Sequence, residues 1–247
     1  AAYQAQRRGG KGKSATGVKD EDYIAHLLVA NSHTTLLLFS SKGKVYWLKT
    51  YEIPEASRAA RGRPLVNLLP LDTDEYITTM LPVEEYTEGH FIFMATAKGT
   101  VKKTPLESFS RQRSVGLIAL ELDEGDVLIS AAITDGEREV MLFSDGGKVT
   151  RFKESDVRAM GRTARGVRGM RLPEGQKLIS MLIPEEGSQI LTASARGYGK
   201  RTAITEFPEY KRGGQGVIAM VSNERNGRLV GAVQVLDGEE IMLISDQ

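Results

Sequence analysis

Val140-Met141-Leu142-Phe143-Ser144-Asp145-Gly146-Gly147-Lys148-Val149-Thr150-Arg151 reads as a β-hairpin: a short apolar strand, a glycine turn, and a second strand bearing a cation. The same sentence is written several times along the chain. It recurs at Leu36-Leu37-Leu38-Phe39 to Gly43-Lys44-Val45, at Phe91-Ile92-Phe93-Met94 to Gly99-Thr100-Val101, and at Ile190-Leu191-Thr192 to Gly197-Tyr198-Gly199. A fifth copy opens at Ile241-Met242-Leu243-Ile244 and is cut off at Gln247.

A second marker keeps step with the hairpins. It is a cluster of basic and polar residues closed by glycine. The copies are Gln6 to Gly12, Ser57 to Gly62, Arg111 to Gly116, Gly161 to Gly166 and Lys211 to Gly216, and the final glycines are spaced by 50, 54, 50 and 50 residues. Within each period the order is hairpin, basic loop, apolar strand such as Val217-Ile218-Ala219-Met220, acidic turn, and a last strand such as Leu178 to Ile183. Four short strands at a period of forty to fifty residues mark a propeller-like array. One such unit cannot cover both faces of its sheet, whereas blade stacked on blade can. A two-sheet sandwich with accidental spacing would not keep two markers in phase over four intervals. The fold expected is therefore all-β, a six-bladed propeller-like array of four-stranded blades with incomplete terminal blades. Residues 1–247 form one domain: 1–13 end a first repeat, 27–235 hold four full repeats, and 240–247 start a further one. A short helix is expected only over Lys19 to Leu28.

The bulk composition excludes several classes. The 247 residues contain no cysteine, so disulfide frameworks and thiolate metal sites are out. No apolar run approaches the ~18 residues of a membrane span, and no apolar segment follows Arg7 and Arg8 as a signal peptide would require. The formal net charge is only +1, but the charges are sorted. Cations gather in the recurrent loops: Arg7, Arg8, Lys11 and Lys13; Arg58, Arg61 and Arg63; Arg111 and Arg113; Arg158, Arg162, Arg165 and Arg168; Lys211 and Arg212. Second strands add Lys102, Lys103, Arg151, Lys200 and Arg201. Acids gather in the other connections, as in Asp72 to Glu75 and Glu121 to Asp126. A repeat puts each loop type at one place on every blade, so one rim should be basic and another acidic. A single charge run is normally a solvated face; runs in phase on several blades make a belt for phosphates. Arginine suits bidentate phosphate contact, and loop glycines let backbone amides approach. No helix-turn-helix, zinc finger or basic helix is present, and aromatics, 6% of the chain, lie mostly in strands or at strand ends. The expectation is sequence-neutral binding of double-stranded DNA through backbone and deformability.

Gln6-Arg7-Arg8-Gly9-Gly10-Lys11-Gly12 is identical to the heptad called the GyrA box. With the in-phase blades, for example Phe93-Met94-Ala95-Thr96 to Lys102-Lys103-Thr104 and Gly197-Tyr198-Gly199-Lys200-Arg201-Thr202, the chain resembles the C-terminal domain of DNA gyrase A subunits over essentially its whole length. That resemblance implies a β-pinwheel whose blades exchange strands and whose basic edge wraps DNA, with the heptad as the element required for wrapping. It implies a crossing of fixed hand, and so negative supercoiling by the ATP-driven holoenzyme. It also implies partners: the rest of the gyrase A subunit and the gyrase B subunit in an A2B2 assembly in the bacterial cytoplasm, associated with the nucleoid. The cleaving tyrosine, ATP and Mg belong elsewhere, so this domain is expected to hold no cofactor, to catalyse nothing alone and to be monomeric when isolated. The later loops depart from the heptad: Arg111 to Gly116 lacks paired glycines, and Thr163-Ala164 replaces them in the next.

Two other readings compete. The corresponding domain of topoisomerase IV shares the blades but usually lacks an intact heptad. A protein-interaction propeller of the WD40 kind calls for Trp-Asp dipeptides, whereas the single tryptophan, Trp47, is followed by Leu48 and is expected in core or interblade packing. Catalysis finds little support. His26, His33 and His90 do not stand at metal-ligand spacing, Gly197 to Gly199 has no following helix, and Asp72, Asp74 and Glu75 read as a solvated turn. Tyr3, Tyr46, Tyr51 and Tyr198 are expected at blade edges.

Overall fold

A computed structural model describes residues 34–49 and 65–236. The expected helix at 19–28, the heptad and the start of the last repeat lie outside them. The strands are β1 (Thr35–Ser40), β2 (Lys44–Lys49), β3 (Ile77–Val83), β4 (Phe91–Thr96), β5 (Thr100–Pro105), β6 (Leu117–Ile118), β7 (Leu128–Thr134), β8 (Glu139–Ser144), β9 (Lys148–Lys153), β10 (Val167–Arg168), β11 (Leu178–Leu182), β12 (Gln189–Ser194), β13 (Gly199–Ala203), β14 (Val217–Ile218) and β15 (Leu229–Val235). They form four antiparallel sheets, or blades, ordered β3-β1-β2-β6, β10-β5-β4-β7, β11-β8-β9-β14 and β13-β12-β15.

Each order contains the expected hairpin, flanked by a last strand on one side. The other side of the first three holds a strand from the next unit. After its basic loop the chain crosses back and pairs two residues with the previous blade: Leu117 with Val45, Val167 with Val101, Val217 with Val149. It then returns to its own blade as the strand on the opposite edge. Those opposite-edge strands β3, β7, β11 and β15 touch one another in succession, while β6, β10 and β14 lie at the far edge.

The exchange is fastened at the hairpin glycines. The Gly43, Gly99 and Gly147 carbonyls each accept two amides from the next unit: Ala119 and Leu120, Gly169 and Met170, Ala219 and Met220, at 2.8–3.2 Å. All three glycines have φ near +80 to +95, and a Cβ on any of them would sit 2.0–2.4 Å from a carbonyl oxygen of the crossing segment. Turn conformation and close approach both demand glycine here.

The core follows the period of two. Along β1, Leu37 and Phe39 face the next blade, meeting Ile92, Met94 and Phe109. Leu36 and Leu38 face the other way with Tyr46, Ile77 and Met80. Phe93, Val140 and Phe152 fill the second junction, and Met141, Phe143 and Ile190 the third. Burial on both faces explains why β1, β4 and β8 carry near-continuous apolar runs. Trp47 bridges blades as expected, its indole N–H donating to the Phe109 carbonyl at 2.9 Å.

One acidic cluster departs from expectation. Asp72 and Asp74 pair with Lys42 in solvent, but Glu75 is buried. Its carboxylate accepts from Ser40 Oγ at 2.5 Å, from Tyr46 OH at 3.0 Å and from the Asp72 amide at 3.1 Å. Tyr46 is correspondingly buried, not at an edge, and burial together with the Glu75 carboxylate pushes its hydroxyl pKa up.

Candidate nucleic-acid interface

The described basic loops, residues 111–116, 161–166 and 211–216, fall at the edge bearing the exchanged strands. Each leads straight into such a strand, so the crossing that completes the previous blade also fixes the loop's position. The last described loop lies against the segment that leaves the loop before it. Gly213 donates its amide to the Gly169 carbonyl at 2.8 Å, and Arg171 donates to the Gly214 carbonyl at 2.8 Å. Arg212 reaches back with Nη1 to the Arg168 carbonyl at 3.0 Å and Nε to the Asp156 carbonyl at 3.1 Å. One junction earlier, Lys102 Nζ donates to the Ala119 carbonyl at 2.8 Å and the Arg162 carbonyl at 2.6 Å. The 161–166 and 211–216 loops thus each abut the exit of the loop before it, along one edge.

Of the residues singled out from sequence, Arg111, Arg113, Arg158, Arg165, Arg168, Lys200, Arg201 and Lys211 are exposed. Arg162 and Arg212 are half-buried. Gln6, Arg7, Arg8, Gly9, Gly10, Lys11, Gly12, Lys13, Arg58, Arg61 and Arg63 lie outside the described residues. Three second-strand cations are corrected. Lys102 is fully buried. Lys103 is buried over the Phe91 ring, 4.8 Å from its centroid, and 3.8 Å from the Glu154 carboxylate. Arg151 forms a two-pronged pair with Glu139 and donates to the Phe207 carbonyl at 2.8 Å and the Ile204 carbonyl at 3.2 Å. The two-residue exchanged strands pair only with Thr100–Val101 and Lys148–Val149, so these cations are held by partners beyond them: the Ala119 and Arg162 carbonyls for Lys102, the Phe91 ring and Glu154 for Lys103, and Glu139 with two carbonyls of the following unit for Arg151. Lys200 and Arg201 on β13 remain exposed, Arg201 donating to the Leu236 carbonyl at 3.2 Å.

The separation of charge is also less complete than expected. The exchanged strand β6 leads directly into the acidic turn Glu121 to Asp126, which brings Asp123 within 2.7 Å and Glu121 within 3.2 Å of the Arg165 guanidinium, whereas the turns after β10 and β14 carry one acid each. Both partners are more than half exposed, so solvent and salt screen the pairs. Arg171 is a cation that the sequence pattern does not single out. It is exposed and joined by its amide to the following loop, yet it occupies the place that holds Glu121 one unit earlier. Its signal is phase, not local composition. Among the described residues no cluster of His, Asp or Glu could hold a metal, and no helix is long and apolar enough to cross a membrane.

A succession of four-stranded blades, each completed by the next and carrying its basic loop on the completed edge, defines a β-propeller of the strand-exchanging kind. The family described as DNA gyrase C-terminal domain, beta-propeller, matches residues 1–31, 34–84, 90–135, 138–185 and 188–235. The chain belongs to that family. The DNA gyrase A subunit of Pseudomonas aeruginosa is 66% identical over 290 residues, covering all of this chain and 31% of the relative. Its Escherichia coli K12 counterpart is 59% identical over 99% of this chain and 28% of its own length. The chain thus spans under a third of these relatives. Among solved structures, a DNA gyrase A C-terminal domain superposes with a TM-score of 0.76 at 28% identity, covering 94% of this chain and 76% of that one. The C-terminal domain of a DNA topoisomerase IV gives 0.76 at 32% identity, over 84% and 65%.

Proposed function

We propose that this chain binds double-stranded DNA without regard to base sequence and wraps it along the strip of basic loops. In the full-length protein the wrap fixes the hand of the crossing presented for ATP-dependent strand passage, giving negative supercoiling. The domain acts by shape and charge, without a catalytic group or cofactor of its own; ATP and Mg serve other parts of an A2B2 assembly in the bacterial cytoplasm, at the nucleoid. The isolated domain is monomeric.

The observation supporting this reading is that the 161–166 and 211–216 loops each abut the exit of the loop before it, setting Arg162, Arg165, Arg168 and Arg212 along one edge. DNA has a persistence length of about 150 bp, so a tight wrap costs several kcal/mol and needs many distributed contacts. Loops set along one edge supply them; a single loop would not. Religation of a nicked plasmid in the presence of the full-length protein tests the idea. Wrapping changes the linking number, and an adaptor that binds only proteins leaves it unchanged. Neutralising six to ten phosphates gives a slope of log affinity against log salt of roughly −5 to −9. A flat salt response is incompatible with the proposal.

A further inference from the structure

The second hairpin strand of each unit has one equivalent position, which in the first three described blades lies directly beneath the crossing of the next loop. It is Tyr46 in the first blade, Lys102 in the second, Thr150 in the third and Lys200 in the fourth, set by the equivalent registers Val45 with Phe39, Val101 with Ala95, Val149 with Phe143 and Gly199 with Ala193. Only Lys102 is both buried and charged there. A buried ammonium is expensive to desolvate and is kept only with partners. Its two short hydrogen bonds go to backbone carbonyls on different stretches: Ala119, just after the exchanged strand of one loop, and Arg162, within the next loop. Neither partner is a carboxylate, so Lys102 is not half of an ion pair that stabilises a blade.

We propose that Lys102 is a positioning residue for the DNA-facing strip, holding the 161–166 loop against the exit of the loop before it so that Arg162 and Arg165 stand in line with their neighbours. The proposal rests on the wrapping function above. Lys102 has no path to DNA; it acts through the backbone it ties down. The third blade meets the same need from outside. Thr150 is too short to span the gap, and Arg212 reaches inward to the Arg168 and Asp156 carbonyls. The burial of Lys102 pulls its pKa down, with Arg162 adding to the effect, to about 8. The ammonium form is therefore still the main one at neutral pH.

The test is a mutant cycle in the full-length protein. Lys102→Met keeps the length and removes the donor. Duplex binding should weaken by about threefold to tenfold, with protection lost mainly opposite the 161–166 loop. Combined with Arg162→Ala, the two losses should be far from multiplicative, because a displaced loop has already lost its arginine. Combined with Lys200→Ala, two blades away, they should multiply. A purely structural lysine would lower the melting temperature without this selective coupling. Lys102→Gln, which retains an amide donor, should restore part of the binding, and it carries the cycle if the methionine variant does not fold. Independent losses for Lys102 and Arg162 overturn the inference alone. A parent protein that leaves linking number unchanged overturns the wrapping reading, and the inference with it.

Discussion

The junction between the second and third blades and the one between the third and fourth solve one problem in opposite ways. In both, a basic loop crosses to the preceding blade and leaves carbonyls that need donors. At the first junction the donor comes from below, from buried Lys102, and Arg162 has no acidic partner among the described residues. At the second it comes from above, from Arg212, over a buried Thr150. One position further along the same strands the order of strength reverses. Lys103 sits 3.8 Å from Glu154, whereas Arg151 clamps Glu139 with two nitrogens and adds two carbonyls of the following unit. A cation count by loop thus misjudges how much charge is available to a ligand: some arginines hold the frame, and some lysines hold the arginines.

The comparison breaks most severely at the turn glycines. Gly147→Ala would place a Cβ 2.0 Å from the Met220 carbonyl oxygen at a φ of +83, against 2.4 Å at Gly99. A loss of about 3 kcal/mol or more is expected at the third junction, read by denaturant unfolding, with Gly99→Ala slightly milder. Arg151→Met leaves Glu139 without its clamp and two carbonyls without donors. It should cost about 2 to 3 kcal/mol, more than Lys103→Met, in the same unfolding experiment. Arg212→Ala should cost about 1 kcal/mol of stability and lower duplex affinity severalfold, measured by titration at fixed salt.

The Lys102 pKa sharpens the contrast without removing an atom. Below about pH 8 the amine is protonated both folded and unfolded, so the penalty of burying its charge is fully present. Between about 8 and 10.5 the unfolded chain binds the proton and the folded one releases it. Stability should therefore rise with pH across that window relative to Lys102→Met, as unfolding at stepped pH would reveal. The smallest effect belongs to Arg165→Ala. Its pairs with Glu121 and Asp123 are exposed, so stability should change by under about 1 kcal/mol, and less at high salt.

The array of blades is legible because two independent markers recur together. Leu142-Phe143 to Gly147 and Arg165-Gly166 repeat in phase with their counterparts, and a two-sheet sandwich gives no reason for that coincidence. What escapes is the partner of the shortest strands. Leu117-Ile118, Val167-Arg168 and Val217-Ile218 are too brief for periodicity to say which blade they join; strand exchange enters only through the family resemblance. Without the exchange, the acidic turn at Glu121 to Asp126 seems remote from Arg165, although the crossing carries it alongside. Lys102, Lys103 and Arg151 look like surface cations because their partners are distant in sequence: the Ala119 and Arg162 carbonyls, Glu154, and Glu139 with the Ile204 and Phe207 carbonyls. Glu75 escapes for the same reason. Its neighbours Asp72 and Asp74 are solvated, and only Ser40 and Tyr46, distant in sequence, mark it as an interior acceptor.

Strand exchange also dictates an order of assembly. A blade lacks its outer rung until the following unit has left the ribosome, so synthesis always trails one unfinished sheet. The β13 strand is in that condition among the described residues, and it carries the exposed cations Lys200 and Arg201. Positive charge on a bare backbone edge repels a second copy in the same condition. The side chains that suit a polyanion would then also guard the nascent protein against sticking to itself while it waits for its next segment.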